Sequence, residues 1–426
     1  MARRSHTFVS PARRMLLERL TSHIEDAKID GPLPWLNPTR ARVNLSPHNA
    51  EEVGAQVDGA EAAPVTRHGE QKTVPSPDGA QIEWRARDNR KGRHALVIPG
   101  DSTTTEGPQV TSEWSAVGKG IWRMCTVFAW WDVSWWIAVL FSVGSAIFVI
   151  SAFWYWLPLE APSTKFPGEE LAAGGVASAV GATLFQIGAV LLIFEACNEN
   201  QTGCFGWALQ RAFSHDGDND STASPAAKEA AADSAPKPTA GYCDHHHIHG
   251  IHHRSTVEKQ HPSARRTWEW WPTWHECTSH YFHEIGWLAS IIEAIGATIF
   301  YISGLMALPG IYNNLSQPVL WYVYWLAYLV GGILFVIASL GYVLESQKNW
   351  YTPAPHLLGW HIGVWNTIGS VGWVLSASFG YCSASWCGYQ SDLSLLWASV
   401  AYLIGSLLLW YEALDKYPVE RERKTK

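Results

Sequence analysis

Residues 134–156 read SWWIAVLFSVGSAIFVISAFWYW, an uncharged run whose length decides the fold. About 20 mostly apolar residues carry an α-helix across the hydrocarbon core of a bilayer. Lipid offers the backbone no hydrogen-bond partners, so a helix is the natural form for such a run. Five further stretches qualify, at 171–194, 285–307, 319–343, 358–380 and 393–413. Pro158, Pro309 and Pro318 sit just outside these ranges, where a residue without an N–H is easily accommodated. The expected fold class is an all-α membrane protein with six transmembrane helices.

Whole-chain averages conceal this. The 426 residues carry a formal net charge of -7, and their mean hydropathy is -0.06. Those values mix a polar first quarter and a polar central loop with six apolar runs. Many of the 25 Trp residues flank the apolar runs, as aromatic belts at a membrane–water interface require. Residues 1–30 hold Arg3, Arg4, Arg13 and Arg14 but no apolar core of a cleavable signal peptide, so the first membrane helix is expected to target the chain. No basic patch is interleaved with aromatics, which argues against a nucleic-acid partner. The expected partners are the lipid bilayer and cytosolic proteins.

Orientation follows from Lys and Arg. The connections after the first, third and fifth spans hold one basic residue, Lys165; the other side holds Lys119, Arg123, Arg211, Arg265, Arg266, Lys348, Lys416, Arg421, Arg423, Lys424 and Lys426. The positive-inside rule then places both termini and the long central loop in the cytosol. Cys125, Cys197, Cys204, Cys243 and Cys277 fall on that side, where thiols stay reduced. Cys382 and Cys387 lie in an outer loop, where a short-range disulfide is expected; two buried free thiols are the alternative.

The spans repeat. Trp135, Gly144-Ser145 and Ser151 share one spacing with Trp287, Gly296-Ala297 and Ser303, and with Trp360, Gly369-Ser370 and Ser376. The pattern is W-x8-G-[SA]-x5-S. The intervening helices carry small, six residues, small, six residues, Glu: Gly181, Gly188, Glu195; Gly331, Ala338, Glu345; Ala398, Gly405, Glu412. Sevenfold spacing keeps such residues near one helix face, and small residues there let helices pack closely in lipid. Each unit contains two spans, so the three hairpins run parallel.

An apolar helix with a Gly-Ser step, a short turn, and a second apolar helix with small residues and a terminal Glu together resemble the YrhK-like domain, a two-helix membrane unit. The whole chain, with its long polar N-terminus, is similar to multi-pass membrane proteins of filamentous fungi. The resemblance covers the six spans and implies three copies of the unit; it brings no biochemical activity with it. The second hairpin departs from the pattern by carrying Glu293 inside its first helix.

The chain accordingly divides into a largely irregular cytosolic N-terminal region (1–118), a first hairpin with an interfacial entry segment (119–210), a disordered His-rich loop (211–266), a Trp-rich segment with the second hairpin (267–346), a third hairpin (347–414) and a basic tail (415–426). Within the N-terminal region, Ser10-Pro11 opens a basic amphipathic helix with Leu16, Leu20 and Ile24 on one stripe. Residues 40–80 look loop-like, and 81–98 fit a short hairpin.

Several residues could carry chemistry. Glu195, Glu345 and Glu412 occupy equivalent helix C-termini, where a carboxylate opposes the macrodipole and needs a partner. Either each caps a neighbouring helix or bonds an interfacial Trp, or the three form a ring that gates cations. Glu293 lies within a span, where an ion or proton site is one reading and a protonated carboxyl bonded to Asn366 or a backbone carbonyl is the other. Asn366 holds the matching position in the third repeat and Phe141 in the first; Gln186 and His361 are further polar candidates for the same cavity. The run His245, His246, His247, His249, His252 and His253 offers weak Zn²⁺ or Ni²⁺ ligands within an Ala/Ser/Pro-rich context. No other cofactor is implied. Cys277, His280 and Glu284 would share a face if helical, either as a metal cluster or as the polar side of an interfacial helix bearing Trp268, Trp270, Trp271 and Trp274.

No Walker loop, G-x-S-x-G elbow or HExxH motif is present, so no enzyme class is indicated. A non-enzymatic scaffold or regulatory membrane protein is the leading expectation. A proton or small-cation transporter using Glu293 and a metal-responsive regulator acting through the His tract are the alternatives.

Overall fold

The computed structural model describes residues 28–44, 81–93, 95–98, 110–199, 201–214 and 268–422. From the first of these segments come strands β1 (Lys28–Asp30) and β2 (Arg40–Asn44), followed by β3 (Gln81–Arg85), a single helical turn α1 (Ala86–Arg90) and β4 (Ala95–Ile98). β1 to β4 pair antiparallel in sequence order, and β4 also takes a parallel neighbour, β5 (Val419–Arg421), from the far end of the chain. The described part of the N-terminal region thus contains a sheet, and a strand from the basic tail completes it. The hairpin expected at 81–98 is β3 paired with β4, whereas β5 was missed because it is short and its partner comes from the other end of the chain. The proposed helix after Ser10 and the His tract lie outside the described residues.

Beyond β4, α2 (Trp114–Thr126) has no buried residue, with Trp114 90% and Trp122 69% exposed. The long helices follow: α3 (Val133–Glu160), α4 (Glu169–Cys197), a short α5 (Phe205–Ser214) and α6 (Trp274–Ser279), then α7 (Ile285–Met306), α8 (Gln317–Glu345), α9 (Leu358–Gly380) and α10 (Ser385–Leu414). Five of these, α3, α4, α7, α8 and α10, are long and apolar enough to cross a membrane. The chain is a multi-pass membrane protein. α9 has 23 residues but is less apolar, since it includes His361, Asn366 and Thr367. Pro158 falls in the last turn of α3 rather than beyond it.

The long helices close a ring in chain order: α3 packs on α4, α4 on α7, α7 on α8, α8 on α9, α9 on α10, and α10 returns to α3. Apolar side chains such as Ile150, Ile187, Ile295, Ile302, Ile337 and Leu407 point outward. Serines point inward and satisfy themselves on their own helices: Ser290, Ser339, Ser370 and Ser399 each donate to the carbonyl four residues earlier. An apolar exterior around a small, locally bonded interior is what lipid selects. Gly144, Gly181, Gly296, Gly331 and Gly369 pack at the close approaches within the hairpins. A Cβ at Gly331 would lie 3.0 Å from the carbonyl oxygen of Gly296, and one at Gly188 or Gly405 would meet Phe141 or Asn366.

On the axis of this ring every long helix contributes one aromatic. Phe148, Phe300 and Trp373 each lie four residues beyond the glycines of the first pattern, and Phe185, Phe335 and Tyr402 four beyond the first small residues of the second. All six are buried. Trp373 stacks on Tyr402 at 4.2 Å and meets Phe148 at 5.5 Å, Phe185 at 5.7 Å, Phe300 at 5.1 Å and Phe335 at 5.7 Å. Such contacts add to burial by about 0.5–1.5 kcal/mol per pair. The plug they form fills the centre of the bundle.

Candidate functional site

Between β3 and β4 the chain reads ARDNRKGR, residues 86–93. α1 ends at Arg90 with Lys91 as its cap, and Gly92 takes a positive φ of 62°, a conformation glycine adopts freely. Arg93 then bonds back to Asp88, by its backbone N–H to the carbonyl at 2.8 Å and by its guanidinium to Oδ1 at 2.8 Å. The result is a compact basic hook on the rim of the sheet.

This hook enters the ring of helices and meets the three equivalent carboxylates. Arg87 donates to both oxygens of Glu412, at 3.1 and 2.8 Å, and Arg93 adds a third bond to Glu412 at 3.2 Å. Arg90 donates to Glu345 at 2.7 Å. Lys91 donates to both oxygens of Glu195, at 3.1 and 3.3 Å, with Arg90 3.6 Å from the same carboxylate. Ser134 also donates to Glu195. The carboxylates therefore neither cap neighbouring helices nor rely on an interfacial Trp; they receive cations from the N-terminal region.

Local sequence makes room for the hook. Ser134, Gly286 and Gly359 stand at the same repeat position, one residue before the Trp of each first helix. A Cβ at Gly286 would lie 2.2 Å from Glu345 Oε1, and one at Gly359 would lie 2.4 Å from Arg87 Nε. Where the first repeat has Ser instead, its hydroxyl joins the network.

The electrostatics follow from burial and pairing together. Burial opposes the charge on Arg87 and Arg90, yet Glu412 and Glu345 more than offset it and hold both guanidinium groups above their ordinary pKa. Burial wins at Lys91, which is lowered despite Glu195 and is further depressed by Arg87. Arg85, at the base of the hook, binds Glu420 of β5 at 2.6 and 2.5 Å. The hook is thus tied to the bundle on one side and to the chain's last strand on the other.

Beneath the hook is a cavity of about 30 Å³, lined by Arg87, Arg90, Lys91, Glu293, Tyr342 and Asn366 among others. A space of that size accommodates one or two waters. Phe141, Glu293 and Asn366 all reach it, so their equivalence by register becomes a shared location. Glu293 is 6% exposed and has no hydrogen bond or ion pair among the described residues; Asn366 Oδ1 is likewise buried and unbonded. Gln186 and His361 are elsewhere. Gln186 donates to Thr298 at 3.1 Å in an exposed contact between α4 and α7, and His361 bonds the carbonyl of Pro355 at 2.7 Å. The side chain of Gln186 faces the side of the helix pair, and His361 sits in the first turn of α9, about a turn and a half before Asn366.

At the opposite end of the bundle Cys382 and Cys387 are joined in a disulfide. The grouping of Cys277, His280 and Glu284 does not form. α6 stops at Ser279 and a 3₁₀ turn covers Tyr281–His283, which breaks the helical register, and Cys277 is buried in the apolar core. His280 and Glu284 instead converge with Glu199. Of the neighbouring tryptophans, Trp268 is buried while Trp271 and Trp274 are 67% and 75% exposed.

No protein-family model, curated protein or solved structure matches the chain.

Proposed function

We propose that this protein is a non-enzymatic membrane scaffold: six spans, with α9 as the fifth, arranged as three parallel YrhK-like hairpins and carrying a cytosolic sheet that presents a docking face to protein partners. The aromatic plug carries this reading. Six buried rings, one from each long helix, occupy the axis, where a conducting protein of this plan would need a polar path. The filled carboxylate ring supports it further, because all three acids serve to seat the hook. The equivalence of Phe148, Phe300 and Trp373, and of Phe185, Phe335 and Tyr402, supports the threefold repeat. The excess of Lys and Arg beside the hook end supports cytosolic termini.

A second reading, a proton or small-cation transporter, draws on Glu293. A carboxyl buried in a polar cavity within a span is a functional site by default. Purified protein in liposomes distinguishes the two. The scaffold reading expects wild type and Glu293→Gln to give the same proton and K⁺ flux as empty vesicles. Flux in wild type that disappears in Glu293→Gln overturns it in favour of transport.

A further inference from the structure

We infer that Glu199, His280 and Glu284 form a site for a single divalent transition-metal cation of the Zn²⁺ type, which clamps the N-terminal region onto the junction of the first two hairpins. The three side chains come from three places: the segment after α4, the residue that follows α6, and the residue that precedes α7. One ligand atom from each lies within 4.8 Å of the others, and His280 Nε2 is 3.7 Å from Glu284 Oε1. An imidazole with two carboxylates is a borderline donor set. It favours Zn²⁺ and its neighbours over Mg²⁺ or Ca²⁺, which prefer all-oxygen shells.

An independent observation comes from the other wall. Asn37 is 3% exposed and Thr39 1% exposed, yet both side-chain atoms of Asn37 and the hydroxyl of Thr39 are buried without a hydrogen-bond partner. Both residues line a cavity of about 10 Å³ together with Glu199, Glu284 and the Arg90–Glu345 pair. Buried polar atoms without partners are uncommon and costly. A volume of this size suits one water-sized species; His280 does not line it, so a cation held between the three side chains would place a single ligand water there, against the Asn37 amide oxygen and the Thr39 hydroxyl. The positions are held from outside the site: the Asn37 backbone N–H donates to the His283 carbonyl at 2.8 Å, and Asn89 of the hook donates to Glu199 at 2.8 Å. A cation here would therefore join the N-terminal region, the hook and both hairpins at one point.

The test must separate this site from the His tract, which lies in the sequence between its ligands. Full-length untagged protein in nanodiscs is stripped with chelator and equilibrated with Zn²⁺, and bound zinc per chain and the thermal midpoint are measured. The comparison uses a variant with His245, His246, His247, His249, His252 and His253 replaced by Ser, without and with Glu284→Gln. The tract variant should keep one zinc per chain and the zinc-induced rise in midpoint. Adding Glu284→Gln should remove that zinc, or weaken it at least tenfold, and abolish the rise. Asn37→Asp, which adds a carboxylate without removing a ligand, should tighten binding several-fold and serves if Glu284→Gln misfolds. Loss of all zinc on replacing the tract overturns the inference, as does a zinc-induced rise unchanged by Glu284→Gln. A rise with Mg²⁺ or Ca²⁺ but none with Zn²⁺ overturns the metal class.

Discussion

Arg87 and Glu412 stand 325 residues apart in the chain and share two hydrogen bonds. Their pairing ties the N-terminal region to the membrane bundle through two side chains that are almost wholly buried. A buried pair is weak evidence for net stability, since desolvating two charges offsets their attraction. Removing one partner is another matter.

Glu412→Leu leaves Arg87 and Arg93 buried beside an apolar side chain. It should destabilise the protein by about 3–5 kcal/mol, the usual result of breaking a buried pair from one side. Thermal unfolding in nanodiscs measures this. Combining it with Arg87→Met should recover most of the loss, because the uncompensated guanidinium goes as well while Arg93 keeps Asp88. No recovery in the double variant would mean that the pair specifies a geometry that apolar packing cannot replace.

Gly359→Val should unseat the hook. The new Cβ would stand 2.4 Å from Arg87 Nε, and the backbone on either side is fixed by α9. Limited trypsin digestion in nanodiscs should then cut within residues 87–93 several-fold faster than in wild type. Gly388→Ala is the control, since nothing lies within 4 Å of a Cβ there. Equal cutting in all three proteins would show that the hook is already accessible in wild type.

Much of the bundle was readable in advance, because lipid imposes length, apolarity and small-residue spacing directly on local sequence. The expected 285–307 ends within a residue of α7, and 358–380 coincides with α9 as a helix, although α9 is not among the five apolar enough to cross a membrane. The aromatic plug was missed although it was visible in the same register, four residues beyond the glycines of the first pattern and the first small residues of the second; a pattern sought among small residues passes over large ones. The partners of Glu195, Glu345 and Glu412 were missed for a different reason. Their cations lie between 104 and 325 residues away, and no local period links the two. The signal available was a mismatch: three helix-end carboxylates wanting cations, and a dense basic run at 85–93 with no assigned role.

Trp373→Ala should cost about 3–5 kcal/mol, as for large aromatic deletions in packed cores, because Trp373 is 0% exposed and touches the other five rings of the plug. Trp373→Phe keeps most of the packing and should lose less than half as much. Chemical or thermal unfolding of both variants decides it. A small loss in Trp373→Ala would mean that the helix ring is held by its lipid-side contacts and that the plug only fills space.

Acidification should loosen the sheet through Glu420. Burial raises the pKa of this carboxyl, but the hydrogen bonds and charge of Arg85 outweigh it, so the folded value lies below the ordinary 4.5. Between the two values the unfolded chain binds the proton and the folded chain does not, so stability falls as pH falls. The contribution is complete above the ordinary value and is lost as pH drops through the folded one. Glu420→Gln has no such proton to bind. The thermal midpoint of wild type should therefore fall more steeply than that of Glu420→Gln on going below about pH 4.5, and parallel curves would place the acid sensitivity on other carboxylates.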